Sequence, residues 1–285
     1  MATVIEAQGL SKRIGGELAL DQVSFSVQSG SIVGLIGRDG AGKTTALKAI
    51  LGLTAYQGSI SVLGRDPARE RTAMMGDICF IADTGVLPRW LRVEQAIKFV
   101  AGLHPRFQRE RARQFLARAG IHMRSRIGSL SKGMITQVYL ALILAIDARL
   151  LVLDEPTLGL DLLYRRQFYD TLMCDYFNRE RTILLTTHQV EEVENLLTHV
   201  LFIDHGHVVL DAGTAEIAER FVQVNVAADK IAAARAQLPF YERELFGRQT
   251  MVFENQPRSL LAEFGELRTP SISDLYVAKM QGLLA

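Results

Sequence analysis

The sequence predicts an α/β fold: a mixed, mainly parallel sheet with an antiparallel β subdomain, an inserted helical subdomain and a small C-terminal α+β domain. Three observations carry this. Residues Gly37–Thr44 read GRDGAGKT, a G-x-x-x-x-G-K-[ST] run with a strand before it and a helix after it. Residues Leu150–Pro156 read LLVLDEP, a buried strand ending in two carboxylates. From Leu150 to Asp211, strand and helix patterns alternate as they do in parallel β-α units.

In chain order, Thr3–Ala7 and Val23–Val27 alternate apolar and polar residues, the pattern of half-buried antiparallel strands. Ser31–Ile36 is more continuously apolar, as a strand covered on both faces requires. Ser59–Leu63 and Ile78–Ala82 are further short strands. From Val93 to Ala119 the pattern turns helical, with Ala96, Val100 and Leu103, then Ala112, Phe115 and Leu116, on one face. This region and the long helix after Leu130 form the helical subdomain, residues 84–148. A strand at Leu150–Leu153, a helix from Leu162 to Phe177, a strand at Thr182–Thr186, a helix at Val190–Leu197 and strands at Val200–Asp204 and Val208–Asp211 follow. The alternation stops near Gly213, which divides the chain into residues 1–215 and an accessory domain, 216–285. In the latter, Phe221–Ala227 reads as a strand, Asp229–Leu238 as an alanine-rich helix, and Tyr241–Leu245 and Thr250–Glu254 as a hairpin about Gly247. Ser259–Phe264 and Ser271–Leu284 read as helices.

The chemistry follows from the residue types. The glycines of Gly37–Thr44 let successive backbone N–H groups point inward at one anion, and the following helix adds its positive dipole end. Lys43 is placed to reach the β- and γ-phosphates of a nucleotide, and Thr44 to hold Mg2+ through its hydroxyl. Asp154, at a strand tip, can bind Mg2+ through water; Glu155 can accept a proton from a water aligned on the γ-phosphate. Leu130-Ser131-Lys132-Gly133-Met134 precedes a helix. Ser131 is either a plain N-cap or, with Gly133, part of a second anion site. His188 ends the strand Ile183–Thr187, where it is either structural or a partner of the γ-phosphate or attacking water.

A formal net charge of +1 gives no electrostatic reason to expect nucleic acid as a partner. The longest apolar run, Val138–Ile146, is half the length needed to span a bilayer, so it is expected to be a buried helix, in a chain that is not itself a membrane protein. Residues 1–10 lack the order of a signal peptide. Cys79 and Cys174 stand in no metal-ligand spacing and are expected to be buried reduced thiols.

Together, in this order and at these spacings, the motifs resemble those of the ATP-binding subunit of ABC transporters, over about Thr3–Gly213. The resemblance implies a P-loop NTPase core. Gly37, Arg38, Asp39, Gly40, Ala41, Gly42, Lys43, Thr44 and Thr45 match the Walker A motif that binds ATP. LSKGM, with Ser131, Lys132, Gly133 and Met134, resembles the signature that binds the ATP of a partner subunit. LLVLDEP matches Walker B with the catalytic Glu155, Leu158–Asp161 resembles the D-loop, and His188 is similar to the switch histidine. The chain departs from the pattern at Ile14, where an aromatic usually stacks on adenine, and at Asp83, where a glutamine usually links Mg2+ to the transport subunit. The LSKGM form and the tail at Thr269–Tyr276 resemble the ABC-2 type exporter branch. The implied partners are a second ATP-binding subunit, as a homodimer, and a transmembrane permease at the cytoplasmic face of the membrane; the implied cofactors are ATP and Mg2+. A soluble ABC-type ATPase acting on nucleic acid or ribosomes is disfavoured by the single Walker A, the balanced charge and the lack of a heptad run. A degenerate, non-hydrolysing subunit is disfavoured by intact Lys43, Asp154, Glu155 and His188. Trp90 has two readings: a core tryptophan, or one side of a groove receiving the membrane partner.

Overall fold

The computed structural model describes residues 2–82, 87–178, 180–245 and 247–282. The chain opens with β1 (Thr3–Ile14), β2 (Glu17–Gln28), β3 (Ile32–Ile36), α1 (Lys43–Ile50), β4 (Gln57–Val62), α2 (Pro67–Met75) and β5 (Ile78–Ile81). Three helices follow, α3 (Val93–Leu103), α4 (Arg109–Arg118) and α5 (Lys132–Leu144). The chain then returns through β6 (Leu150–Asp154), α6 (Leu162–Thr171), β7 (Thr182–Thr187), β8 (His199–Asp204) and β9 (His207–Gly213). The last part comprises α7 (Thr214–Arg220), β10 (Phe221–Val226), α8 (Ile231–Arg235), β11 (Tyr241–Leu245), β12 (Arg248–Glu254), α9 (Arg258–Leu261), β13 (Gly265–Arg268) and α10 (Ile272–Gly282).

The central sheet has the order β5-β6-β7-β3-β8-β9 and is parallel except for β9. Every residue of β3 and β6 is buried, because both faces are covered. Ile32, Ile36, Leu151 and Leu153 face one core, with residues of α5 and α6. Val33, Leu35, Leu150 and Val152 face the other, with α1 and the antiparallel sheet β2-β1-β4. The apolar run in α5 is buried as expected: Leu140, Ile143 and Leu144 join the first core, while Val138, Ala141 and Leu142 join a separate core with Val93, Ile97, Ala112 and Leu116. A helix apolar all round is stable there because it lies between two cores. Among the described residues, no helix is long and apolar enough to cross a membrane.

Register matters most for the site. β3 lies beside β7 with Ile36 opposite Thr187, and β6 lies beside β7 with Asp154 opposite Thr186. The loop after β3, the carboxylates after β6 and His188 after β7 thus emerge side by side at the carboxyl ends of neighbouring strands, where open α/β sheets bind ligands.

Several local expectations are corrected. Val190–Leu197 is not a helix but a 3-10 turn at Val190–Glu192 followed by turns; a segment this short cannot sustain a helix alone, and its polar side chains are engaged by neighbouring elements. Asp229–Leu238 contains a 3-10 turn and only the five-residue α8, stopped before Pro239. Ser259–Phe264 is reduced to the single turn of α9, and Gly265–Arg268 pairs with β10 as a strand that its four residues did not reveal. The helix from Leu162 ends at Thr171 and continues as a π turn at Leu172–Tyr176. The sheet of the last part, β11-β12-β10-β13, is antiparallel. α10 does not pack within that sheet's own core: Ile272, Leu275 and Met280 join the core of the central sheet. Cys79 is buried, and burial pushes its thiol up to about 12, but Cys174 is exposed.

Candidate functional site

Glycine is required twice in the loop between β3 and α1. A Cβ on Gly37 would stand 2.4 Å from the Ile203 carbonyl oxygen; one on Gly42, at φ 113°, would stand 2.6 Å from that of Ala19. No side chain caps α1, so its first N–H groups are open to an anion. Lys43 is 6% exposed; its Nζ donates to the carbonyls of Gly37 (2.7 Å) and Arg38 (3.1 Å) and lies 3.4 Å from Glu155 Oε1. The ammonium is thereby held at the loop's mouth with its charge paired.

Asp154, buried at the tip of β6, accepts from two hydroxyls: Thr44 Oγ1 at 3.1 Å and Thr186 Oγ1 at 2.7 Å. The Thr186 hydroxyl also accepts from the Glu155 N–H at 3.0 Å. Glu155 has φ 48°, a left-handed conformation that costs a side-chain-bearing residue energy. Its Oε2 lies 3.0 Å from His188 Nδ1. Neither Glu155 Oε1 nor His188 Nδ1, both buried, has an aligned hydrogen-bond partner. Buried polar atoms are ordinarily satisfied, and the nearest groups to these two are the Lys43 ammonium and the Glu155 carboxylate.

The cleft measures about 410 Å3 and is lined by Arg38, Asp39, Gly40, Gly42, Lys43, Thr44, Thr45, Asp154, Glu155 and His188, with Ala19 and Leu158. The Thr44 hydroxyl and Asp154 carboxylate form a hard oxygen donor set, which fits Mg2+. Ala41 is buried within the loop. Ile14 ends β1 opposite Glu17, is 56% exposed and does not line the cleft. Asp83 lies outside the described residues.

The serine–glycine segment is not brought to this cleft. Ser131 Oγ accepts from the Met134 N–H at 3.2 Å, capping α5, and Lys132 is exposed. Gly133 is closely approached, but by the ring of Tyr164: a Cβ there would stand 2.1 Å from Tyr164 Cε1. Asp161 caps α6 through the Tyr164 N–H at 3.2 Å.

Two further residues organise the site. Thr186 is one; its signal in the sequence is a polar residue inside a fully buried strand, which must find a partner. Arg165 is the other. Its Nε donates to the Leu160 carbonyl at 2.6 Å, and Nη1 pairs with Gln189 and Glu192, which ties the segment before α6 to the turn after His188. Trp90 is 72% exposed, so it is no core residue. It lines an apolar groove of about 580 Å3 together with Phe80, Tyr139 and Ile143.

A family model described as ABC transporter matches residues 20–158. The Nod factor export ATP-binding protein I of Burkholderia pseudomallei (strain 1710b) is 33% identical over 276 residues, 90% of this chain and 88% of that protein. Its counterpart in Sinorhizobium fredii (strain NBRC 101917 / NGR234) is 35% identical over 222 residues, 73% of this chain and 62% of that protein. A solved ATP-binding subunit of an ABC transporter superposes with a TM-score of 0.66 at 27% identity, over 76% of this chain and 92% of that one. The chain therefore belongs to the ABC transporter family as an ATP-binding, nucleotide-hydrolysing subunit.

Proposed function

We propose that this subunit drives export of a substrate by ATP-dependent pairing of two identical chains and hydrolysis at their interface. Each ATP lies between the loop Gly37–Thr45 of one chain and Ser131–Met134 of its partner, with Asp161 at the contact. The observation that carries this reading is the convergence of Lys43, Thr44, Asp154, Glu155 and His188 on one cleft while Ser131 and Gly133 stay outside it. A triphosphate enclosed on one side only needs a second wall, and the serine–glycine segment at the start of α5 offers anion-binding chemistry for one.

In this scheme Lys43 binds the β- and γ-phosphates, and Thr44 and Asp154 hold Mg2+, with Asp83 a further candidate. Bound Mg2+ supplies positive charge against the charge that develops on the phosphoryl oxygens. Glu155 takes a proton from the attacking water, and His188 orients Glu155 and the γ-phosphate. Ile14 covers the adenine as an aliphatic surface. The groove beside Trp90 receives a permease segment, which places the subunit at the cytoplasmic face of the membrane. Residues 1–215 form the ATP-binding domain and 216–285 the accessory domain. The export direction rests on the relatives named for Nod factor export.

Measured ATP turnover tests the proposal. The parent chain hydrolyses Mg-ATP, and a chelator of Mg2+ abolishes turnover. Turnover that persists without divalent cations would show the metal assignment to be wrong, and a parent chain that binds ATP without any turnover would sink the proposal.

A further inference from the structure

The turn behind His188 has little structure of its own. It is a single 3-10 turn, Val190–Glu192, followed by turns, and such short pieces are set by what holds them. Arg165 holds one side. The other side is held from 80 residues away by α10. Ser271 caps that helix, its Oγ accepting from the Asp274 N–H at 3.0 Å. The Ser273 N–H donates to Glu194 Oε2 at 3.3 Å, and Ser273 Oγ donates to Glu191 Oε1 at 3.4 Å. Two carboxylates thus face the positive end of α10, the favourable polarity for a helix N-terminus. Val190 and Val193 share a core with Ile272 and Leu275 beneath these contacts.

One turn further on, Tyr276 packs edge-on against Phe202, with centroids 5.3 Å apart at 82°. Burial pushes its hydroxyl up in pKa while the neighbouring Arg38 of the phosphate loop pulls it down. Beyond that, Lys279 pairs with Glu254 of β12 at 2.8 Å, and Glu254 also takes Arg220 at 2.7 Å. α10 therefore touches the turn behind His188 on one side and the accessory sheet on the other.

We propose that Ser273 is a positioning residue for ATP hydrolysis: through Glu191 and Glu194 it fixes the turn that follows His188, and so links the accessory sheet to turnover. The proposal rests on the assignment of His188 to hydrolysis above. Ser273 touches no substrate. A displaced His188 turn impairs turnover while the phosphate loop still binds nucleotide.

Ser273→Glu tests it by placing a third carboxylate against Glu191 and Glu194. At low ionic strength, kcat for Mg-ATP falls about tenfold, since small misplacements near a reacting centre cost this much or more, while KM for ATP and Tm stay near the parent's. Ser273→Ala gives a smaller fall, and Ser273→Thr, which keeps the hydroxyl, restores the parent kcat. Ser273→Glu combined with Glu191→Gln and Glu194→Gln recovers most of the lost rate, which general loss of structure does not predict. Parent-level kcat in Ser273→Glu overturns the proposal, as does a loss that the glutamines fail to rescue or a fall in kcat that follows a falling Tm. If His188→Ala keeps the parent rate, the assignment of His188 fails first, and this proposal falls with it.

Discussion

The phosphate loop and the serine–glycine segment both carry anion-binding chemistry, yet the fold completes only the first. At the loop, residues from three neighbouring strands converge. Lys43 is buried and paired, Asp154 is held by Thr44 and Thr186, and Glu155 is turned by a left-handed backbone toward Lys43 and His188. At the segment, the Ser131 hydroxyl is spent on its own helix, Lys132 stands in solvent, and Tyr164 covers Gly133. The difference teaches that a site is made by strand order, which gathers groups far apart in sequence. A helix start with serine and glycine is half of a site until something is brought to it.

The comparison can be broken most forcefully at Glu155. Glu155→Gln keeps the shape and removes the base, so turnover falls by about 10²–10⁴ while the affinity for ATP, read by fluorescent-nucleotide titration, is unchanged. Parent-level turnover in this variant would remove Glu155 from the chemistry. The two glycines should then respond differently to alanine. Gly42→Ala drives a Cβ into a backbone carbonyl at a left-handed φ, neither of which can yield; it should cost about 1–3 kcal/mol of stability and weaken ATP binding. Gly133→Ala meets first the half-buried Tyr164 side chain, which can rotate, so its Tm should fall less than that of Gly42→Ala. An equal or larger fall would mean that Gly133 is as rigidly enclosed as the loop. Ser131→Ala should have the smallest effect on stability, about 1 kcal/mol as a lost N-cap, seen in thermal unfolding. It should still reduce turnover at unchanged ATP affinity, because the hydroxyl is then missing from the second wall.

How much of this was legible in the sequence depended on distance along the chain. The loop GRDGAGKT and the strand LLVLDEP are contiguous, and each dictates its local geometry, so their residues were found directly. β3 and β6 were recognisable because strands buried on both faces are apolar throughout. Thr186 sits in an otherwise apolar strand, and its burial obliges it to bond; Asp154, far off in sequence, is the partner. Nothing in the sequence distinguishes Arg165 from its neighbour Arg166; only the fold brings Leu160, Gln189 and Glu192 to it. The helix expected at Val190–Leu197 failed for the same reason: Arg165 on one side and Ser273 on the other take its glutamates. The readings of Trp90 differed only in exposure, which no single sequence displays, and an exposure of 72% decides against the core.

The central claim is that this chain holds one wall of an ATP site and that a second copy supplies the other. Light scattering on Glu155→Gln, with and without Mg-ATP, tests it most directly, since this variant is expected to bind ATP and to consume it slowly. The account predicts that ATP doubles the mass and that adding Ser131→Arg on the same chain keeps it at one copy with nucleotide still bound. A variant that saturates with ATP and remains a single copy would contradict the account.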